Sequence, residues 1–132
     1  MENGKWKMEN ESSPKNVLYV KSMAFSLRII KMEEYLKKET KCNRSIINQV
    51  VRSGTSISAN IAESINAESK VDFAHKLSIA LKEADETEGW LCNIRDGYKV
   101  NVMAFNSLIS DLKEIKYILI ASIKTAKGIN KK

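Results

Sequence analysis

The residues of this sequence that could support catalysis are few and far apart. His75 is the single histidine, and Asp72 precedes it by three residues. A di-metal centre in a helical bundle needs two Glu-x-x-His pairs together with carboxylates on facing helices. Because a second histidine is missing from the sequence, we predict no such metal centre and interpret His75 as a surface residue.

The two cysteines have no suitable chemical partners either. A structural zinc site needs about four nitrogen or sulfur ligands at close spacing, and a cysteine nucleophile needs a base beside it. Neither Cys42 nor Cys92 has such neighbours in the sequence. We therefore expect two reduced thiols, which is the usual state in the cytoplasm.

A short acidic cluster is the remaining candidate for catalysis, because paired carboxylates can act as general acid and base. The cluster consists of Glu83, Asp85, Glu86 and Glu88. These positions are spread around a helix, which is typical of a solvated surface with one or two ion pairs. No glycine-rich phosphate loop is present in the sequence. We predict no enzyme activity, no catalytic, cofactor-binding or metal-binding residue, no cofactor and no small-molecule substrate.

A row of polar residues occurs in the stretch "RSGTSISANIAES", which is rich in the poor helix formers Ser, Thr and Gly. The row, at three- and four-residue spacing, consists of Arg52, Ser56, Asn60 and Glu63. If the next helix returns alongside this one, Arg52 lies level with Glu83 and Glu86, and Glu63 lies level with Lys76. The row is a candidate for hydrogen bonds between helices or between subunits.

Small residues in the same stretch suggest close packing of two helices. Counting from the expected turn places Gly54 and Ser58 level with Ala80 and Ala84 of the next helix. Small side chains on both sides would let the two backbones approach closely. We therefore interpret the poor helix formers as packing choices.

Four segments with helical periodicity position these residues. Their apolar stripes run from Leu18 to Leu36, from Ile47 to Ile65, from Phe73 to Ile94 and from Phe105 to Ala126. The expected helix starts are at Ser13 and Pro14, at Asn43 or Ser45, and at Ser69. Gly97 is expected to end the third helix in a left-handed conformation, and Gly128 is expected to end the fourth.

Helices joined by short connections predict an all-α, up-down-up-down antiparallel four-helix bundle. The 132 residues, 43% of them hydrophobic, fit one domain. We expect the bundle at residues 13–128, a flexible N-terminal tail at 1–12 and a basic C-terminal tail at 129–132. Because the chain has no signal-like start and no membrane-length apolar run, we expect a cytoplasmic protein that does not bind membranes.

A core-facing stripe on a helix covers an arc somewhat over 100° wide. The first and last helices carry more apolar residues than one such stripe requires. The additional residues are Val17, Tyr19, Val20, Met23, Leu27 and Ile30 in the first helix, and Ile109, Tyr117, Ile118, Ile120 and Ile123 in the last. One interpretation is a wide core stripe with scattered exposed residues. The interpretation we favour is an interface between copies of the chain.

Two stretches, "QVVRSGTSISANIAES" and "DFAHKLSIALKEADETEGWL", resemble the signature of a protein family first noticed as reading frames inside intervening sequences of bacterial 23S ribosomal RNA genes. The matching residues are Arg52, Ser53, Ser56, Ile57, Asn60, Ile61, Ala62, Glu63, Phe73, Ile79, Ala80, Glu86 and Leu91. The resemblance implies a homopentameric four-helix bundle with no assigned catalytic activity. A distant relative of that family is a basic pentamer that binds nucleic acid and a reverse transcriptase, an analogy at the level of fold.

Two functional hypotheses follow from the sequence. The first is an oligomeric interaction scaffold that binds copies of itself and another protein. The second is an adaptor that binds RNA or DNA backbones without sequence specificity, because the net charge is +6 and basic clusters attract phosphates. The candidate contacts are Lys37, Lys38, Lys41 and Arg44 at one end, and Lys124, Lys127, Lys131 and Lys132 at the other.

Overall fold

The computed structural model describes residues 14–128, and the regular structure there is entirely helical, with no strand. The helices are α1 (Pro14–Glu39), α2 (Arg44–Ile65), α3 (Lys70–Gly97) and α4 (Val102–Lys127). The predicted all-α class is therefore confirmed. The expected cap at Ser13 and the two expected tails, 1–12 and 129–132, lie outside the described residues.

Side-chain caps explain where three of the helices begin. The side-chain oxygen of Asn43 accepts the Ser45 N–H at 2.7 Å, and the Ser69 hydroxyl accepts the Asp72 N–H at 3.0 Å. These contacts satisfy backbone donors that have no partner inside the first turn. The caps predicted at Asn43 and Ser69 are confirmed, and Asn101 caps α4 in the same way.

The ends of α3 and α4 differ from each other. Gly128 ends α4 as predicted, and its φ of 76° is left-handed. Gly97 is the last residue of α3 and does not have a positive φ. The chain leaves α3 through Tyr98, whose φ of −133° is extended. The left-handed cap predicted at Gly97 is wrong, because an extended exit needs no glycine.

The core lies between the four helices, each of which contacts the next in sequence, while α1 also contacts α4. The two largest fully buried side chains are Phe25 and Phe105. Most residues of the predicted stripes are buried. Ile109 and Ile123, which we expected outside the core, are buried as well, and Ser122 is only half-buried. The core stripe of α4 is therefore wider than predicted.

Two tyrosines brace the connections at one end of the bundle. The hydroxyl of Tyr35 in α1 accepts the N–H of Asn101 at 3.0 Å. The hydroxyl of Tyr98, just after α3, accepts the N–H of Asn43 at 3.3 Å. Each tyrosine thus binds the cap residue of a different connection, so the α1–α2 and α3–α4 connections lie at the same end.

Candidate functional site

The hydroxyls of α2 are first of all bound to their own helix. Thr55, Ser56 and Ser64 donate to backbone carbonyls three or four residues earlier, at 2.8, 2.7 and 2.6 Å. Such bonds compete weakly with helical hydrogen bonding but satisfy the hydroxyl groups without water. They explain how a helix so rich in Ser and Thr can bury one face.

Two hydroxyl pairs connect α2 to its neighbours inside the core. The Ser26 and Ser58 hydroxyl oxygens lie 2.7 Å apart between α1 and α2. The Thr87 hydroxyl donates to Ser53 at 2.9 Å between α3 and α2. No buried side-chain nitrogen or oxygen in the described part of the chain lacks a hydrogen-bond partner. This polar material is therefore fully satisfied within one chain.

Gly54 faces α1. A Cβ atom added at Gly54 would lie 3.0, 3.2 and 3.3 Å from three side-chain carbons of Ile29. Ser58 also turns to α1, through Ser26. The prediction that Gly54 and Ser58 pack against Ala80 and Ala84 is therefore wrong. Counting from a turn gives the height of a residue along a helix but not the side to which it points.

The surface between α2 and α3 carries a polar cluster centred on Arg52. The Arg52 guanidinium donates to Glu83 at 3.4 Å and to Glu86. The Trp90 indole N–H donates to the same carboxylate oxygen of Glu86 at 3.2 Å, and Arg52 Nε donates to Gln49 at 3.4 Å. The sequence reasoning missed Trp90, although it lies one helical turn after Glu86, a spacing at which side chains meet.

The electrostatics of this cluster are those of a paired surface site. Hydrogen bonds from Arg52 and then Trp90 lower the pKa of Glu86. The hydrogen bond to Glu86 raises the pKa of Arg52. The Arg52 side chain is 49% exposed, so water and salt screen the pair. Both groups stay charged at neutral pH, and neither is poised to transfer a proton.

The rest of the polar row divides into two kinds of contact. Glu63 accepts from Lys76 of α3 at 3.1 Å, which joins the helices as the Arg52 cluster does. Ser56 donates to the Arg52 carbonyl, and the Asn60 amide donates to the Ser56 carbonyl at 2.9 Å. The ends of the row therefore bridge α2 and α3, while its middle is bound within α2.

The candidates for catalysis are not brought together. His75 is exposed in the first turns of α3, and no group of three or more His, Cys, Asp or Glu residues between 14 and 128 could hold a metal ion. Cys42 and Cys92 are unpaired thiols. Burial raises the pKa of the Cys42 thiol, although a hydrogen bond to the Asn43 backbone partly opposes this. A raised pKa makes Cys42 a poor nucleophile.

The basic residues are only partly available to a ligand. Lys37 and Lys38 pair with Glu33 and Glu34 one turn earlier, at 2.8 and 3.1 Å. The other described candidates, all exposed, are Lys41, Arg44, Lys124 and Lys127. Lys131 and Lys132 lie outside the described residues. The end near Lys41 therefore carries less free positive charge than its sequence suggests.

The outer side of α1 carries an exposed apolar stripe, which consists of Val20, Met23, Leu27 and Ile30. Its spacing of three, four and three residues places these side chains on one face. They lie about half a turn away from the buried stripe of α1, as 100° per residue requires. Leu27 is 58% exposed, whereas Leu36 on the core side is fully buried.

Tyr117 and Ile120 are exposed apolar residues in the second half of α4. Tyr117 is 76% exposed and Ile120 is 40% exposed. Ile120 comes one turn after Lys116, whose ammonium group contacts Asp85 and Glu88 of α3 at 2.7 and 2.8 Å. Ile120 therefore lies on the α3 side of α4, whereas Tyr117 comes three residues after Glu114, which contacts Lys21 of α1 at 3.2 Å.

Comparison with known proteins agrees with this architecture. The family model described as 23S rRNA-intervening sequence protein matches residues 14–121. The chain belongs to this family. A search of curated proteins gave no significant match. Among the described residues, no helix is long and apolar enough to cross a membrane.

A solved structure supports the same fold for the family. It is the crystal structure of a protein of unknown function from the S23 ribosomal protein family of Bacteroides thetaiotaomicron VPI-5482. That protein is 40% identical to this chain, with a TM-score of 0.80, and the match covers 85% of this chain and 99% of the other. Residues 14–121, which the family model matches, contain both the core hydroxyl pairs and the Arg52 cluster.

Proposed function

We propose that this member of the family is a non-enzymatic, homo-oligomeric interaction scaffold. The observation that carries the proposal is the exposed apolar stripe on α1. Fully burying a large apolar side chain is worth about 1.5 to 3 kcal/mol, so a face with several of them is stabilised when a second surface covers it. Its repeat of about 3.5 residues is the repeat of a helix-to-helix seam.

We infer an up-down-up-down antiparallel arrangement within each copy. Along α2, Ser53 contacts Thr87 whereas Glu63 contacts Lys76, so partner numbers fall as residue numbers rise. The contacts between α1 and α2, and between α3 and α4, follow the same rule. This order supports a single domain at 13–128, with cytoplasmic location remaining a prediction.

A pentamer is the assembly that we favour, because the family resemblance implies it. A closed ring with odd copy number needs two different surfaces on each copy, one for each neighbour. The stripe on α1 can provide one surface. Tyr117 and Ile120, which are exposed on α4, can provide the other.

The second candidate function is a nucleic-acid-binding adaptor. It is favoured by Lys41 and Arg44, which are exposed, and by Lys124 and Lys127 in the last turns of α4. In a ring these cations would be repeated by symmetry, and phosphate contacts would add through counterion release. The ion pairs of Lys37 and Lys38 weaken this proposal relative to the scaffold.

Light scattering at micromolar concentration tests the scaffold. We expect a stable species of several copies, with a pentamer at five times the chain mass of 14.9 kDa. A stable monomer over the whole concentration range would remove the proposal. Chromatography on immobilised RNA tests the alternative, since an adaptor is released steeply by salt and a pure scaffold is not retained.

A further inference from the structure

Helix α2 is joined to both of its neighbours by short contacts that lie within about one and a half helical turns of each other. Ser58 pairs with Ser26 of α1 at 2.7 Å, and Ser53 pairs with Thr87 of α3 at 2.9 Å. Gly54 lies between these two serines. A Cβ atom added at Gly54 would be 3.0 Å from the nearest side-chain carbon of Ile29. The contacts on the α1 side bear directly on which turns of α1 and α2 can face each other.

Sliding α1 by one turn in one direction would bring Phe25 to the position of Ile29. The space over Gly54 is already filled by Ile29 to within van der Waals distance. The phenylalanine ring is larger than an isoleucine side chain, so it would push the helices apart and leave voids, which well-packed interiors avoid. The slide is therefore opposed because the space over Gly54 is too small for the ring of Phe25.

Sliding α1 by one turn in the other direction would bring Glu33 to the position of Ile29 and Ile30 to that of Ser26. A carboxylate would then enter the core beside Gly54, which is unfavourable for a charge without a partner. Ser58 would also exchange its hydroxyl partner for a hydrocarbon. The cost of burying the Glu33 carboxylate and the loss of the hydroxyl partner of Ser58 therefore oppose this slide.

We propose that Ser26, Ile29, Gly54 and Ser58 form a register lock that holds α1 at one height on α2. Single buried polar residues fix the register of helices in coiled coils, and here a hydroxyl pair and a glycine socket act together. The lock matters because α1 also carries the exposed stripe, and a slide of α1 by one turn moves that stripe by about 5.4 Å.

Other buried serines provide a matched control, because they are bonded only within their own helix. Ser22 donates to the Tyr19 carbonyl and Ser64 donates to the Ile61 carbonyl. Leu36 is fully buried in α1, as Ile29 is, and loses the same atoms when it is replaced by alanine. The control variant is therefore Ser22→Ala/Leu36→Ala/Ser64→Ala, and the lock variant is Ser26→Ala/Ile29→Ala/Ser58→Ala.

The distance between two spin labels, one on α1 and one on α2, reports the axial register of the two helices. The labels are placed at Lys38→Cys in α1 and Ala59→Cys in α2, both exposed, in a chain with Cys42→Ala and Cys92→Ser. Labelled protein is diluted with unlabelled protein, so that only distances within one copy are measured. Circular dichroism confirms that each variant keeps its helix content.

The lock variant is expected to show a second distance, several ångströms from the first, because the axial shift is about 5.4 Å per turn. The control variant and the parent should show one narrow distance. A single unchanged distance in the lock variant, or equal broadening in the control, would overturn the proposal. If the lock variant does not fold, Ser26→Ala/Ser58→Ala is compared with Ser22→Ala/Ser64→Ala, and only broadening confined to the first pair supports the lock.

Discussion

Helix α2 buries polar groups, whereas helix α1 exposes apolar ones. The hydroxyls of Ser53 and Ser58 are inside the core, and each has a partner on a neighbouring helix. On the outer side of α1, Leu27 and Val20 are more than half exposed and contact water. The unusual residues of α2 are thus accounted for within one chain, while those of α1 are not.

This difference supports the proposed position of the interface between copies. A buried polar group is costly only when it lacks a hydrogen bond, and α2 meets that condition internally. An exposed apolar stripe gains free energy only when another surface covers it. The interior of α2 therefore contributes to folding of the single chain, and the outer face of α1 is the surface that we propose for association of chains.

The largest expected effect is the difference in unfolding free energy between substitutions on the two faces of α1. Leu36→Ala removes a fully buried side chain and should lower the free energy of unfolding by about 2 to 5 kcal/mol. Leu27→Ala removes an exposed one and should destabilise the protein only where copies associate, since association couples stability to concentration.

Chemical denaturation at several protein concentrations measures both changes. The loss caused by Leu36→Ala should change little with concentration, whereas the loss caused by Leu27→Ala should disappear on dilution below the association range. A concentration-independent loss for Leu27→Ala would mean that the outer stripe contributes to the single chain.

The sequence predicts the elements well, because their signals are local. The caps at Asn43 and Ser69 and the core stripe of α1 depend on residues within one or two turns. Height along neighbouring helices is also predictable, since short connections fix it, and Arg52 does lie beside Glu83 and Glu86.

The direction in which a side chain points was not predictable in the same way. Gly54 has neighbours at the same height on both α1 and α3, and only the rotation of α2 about its axis decides between them. The sequence also left Ile109 and Ile123 open between a wide core stripe and an interface. Those assignments depend on how far α4 is rotated towards α1 and α3.

Two helical glycines, Gly54 and Gly89, are expected to respond differently to replacement by alanine. Gly89 has nothing within 4 Å of an added Cβ, so Gly89→Ala should raise the free energy of unfolding by about 1 kcal/mol through helix propensity. At Gly54 the same gain is opposed by the contact with Ile29, so Gly54→Ala should stabilise less or destabilise.

Thermal unfolding of the two alanine variants measures this difference. Gly54→Ala combined with Ile29→Ala, which removes all three contacting carbons, should recover part of the gain relative to Ile29→Ala alone. Equal stabilisation by Gly54→Ala and Gly89→Ala would show that Ile29 does not fill the space over Gly54.

The smallest expected effect is the pH dependence of the stability that the Arg52 cluster contributes. The pKa of Glu86 is lowered by hydrogen bonds from Arg52 and Trp90 and by the nearby charge of Lys82. A lowered pKa in the folded state contributes stability above the ordinary value of 4.5 that is lost as the pH falls through the folded value.

Glu86→Gln should therefore lower the melting temperature slightly at pH 7, and the difference from the parent should shrink below about pH 4.5, near the ordinary pKa of glutamate. Glu39→Gln is the control, because Glu39 is exposed at the end of α1. A difference for Glu86→Gln that does not change with pH would argue against a role of its charge.

The most direct test of association through α1 is the mass of Leu27→Glu in solution, measured by light scattering beside the parent and Val71→Glu. Val71 is 80% exposed on α3, away from the stripe, so Val71→Glu introduces the same charge at an apolar surface position outside the proposed interface. Association through α1 predicts a folded monomer for Leu27→Glu, because burying an unpaired carboxylate opposes association, and the parent's oligomeric mass for Val71→Glu. A Leu27→Glu protein that keeps the oligomeric mass would contradict it.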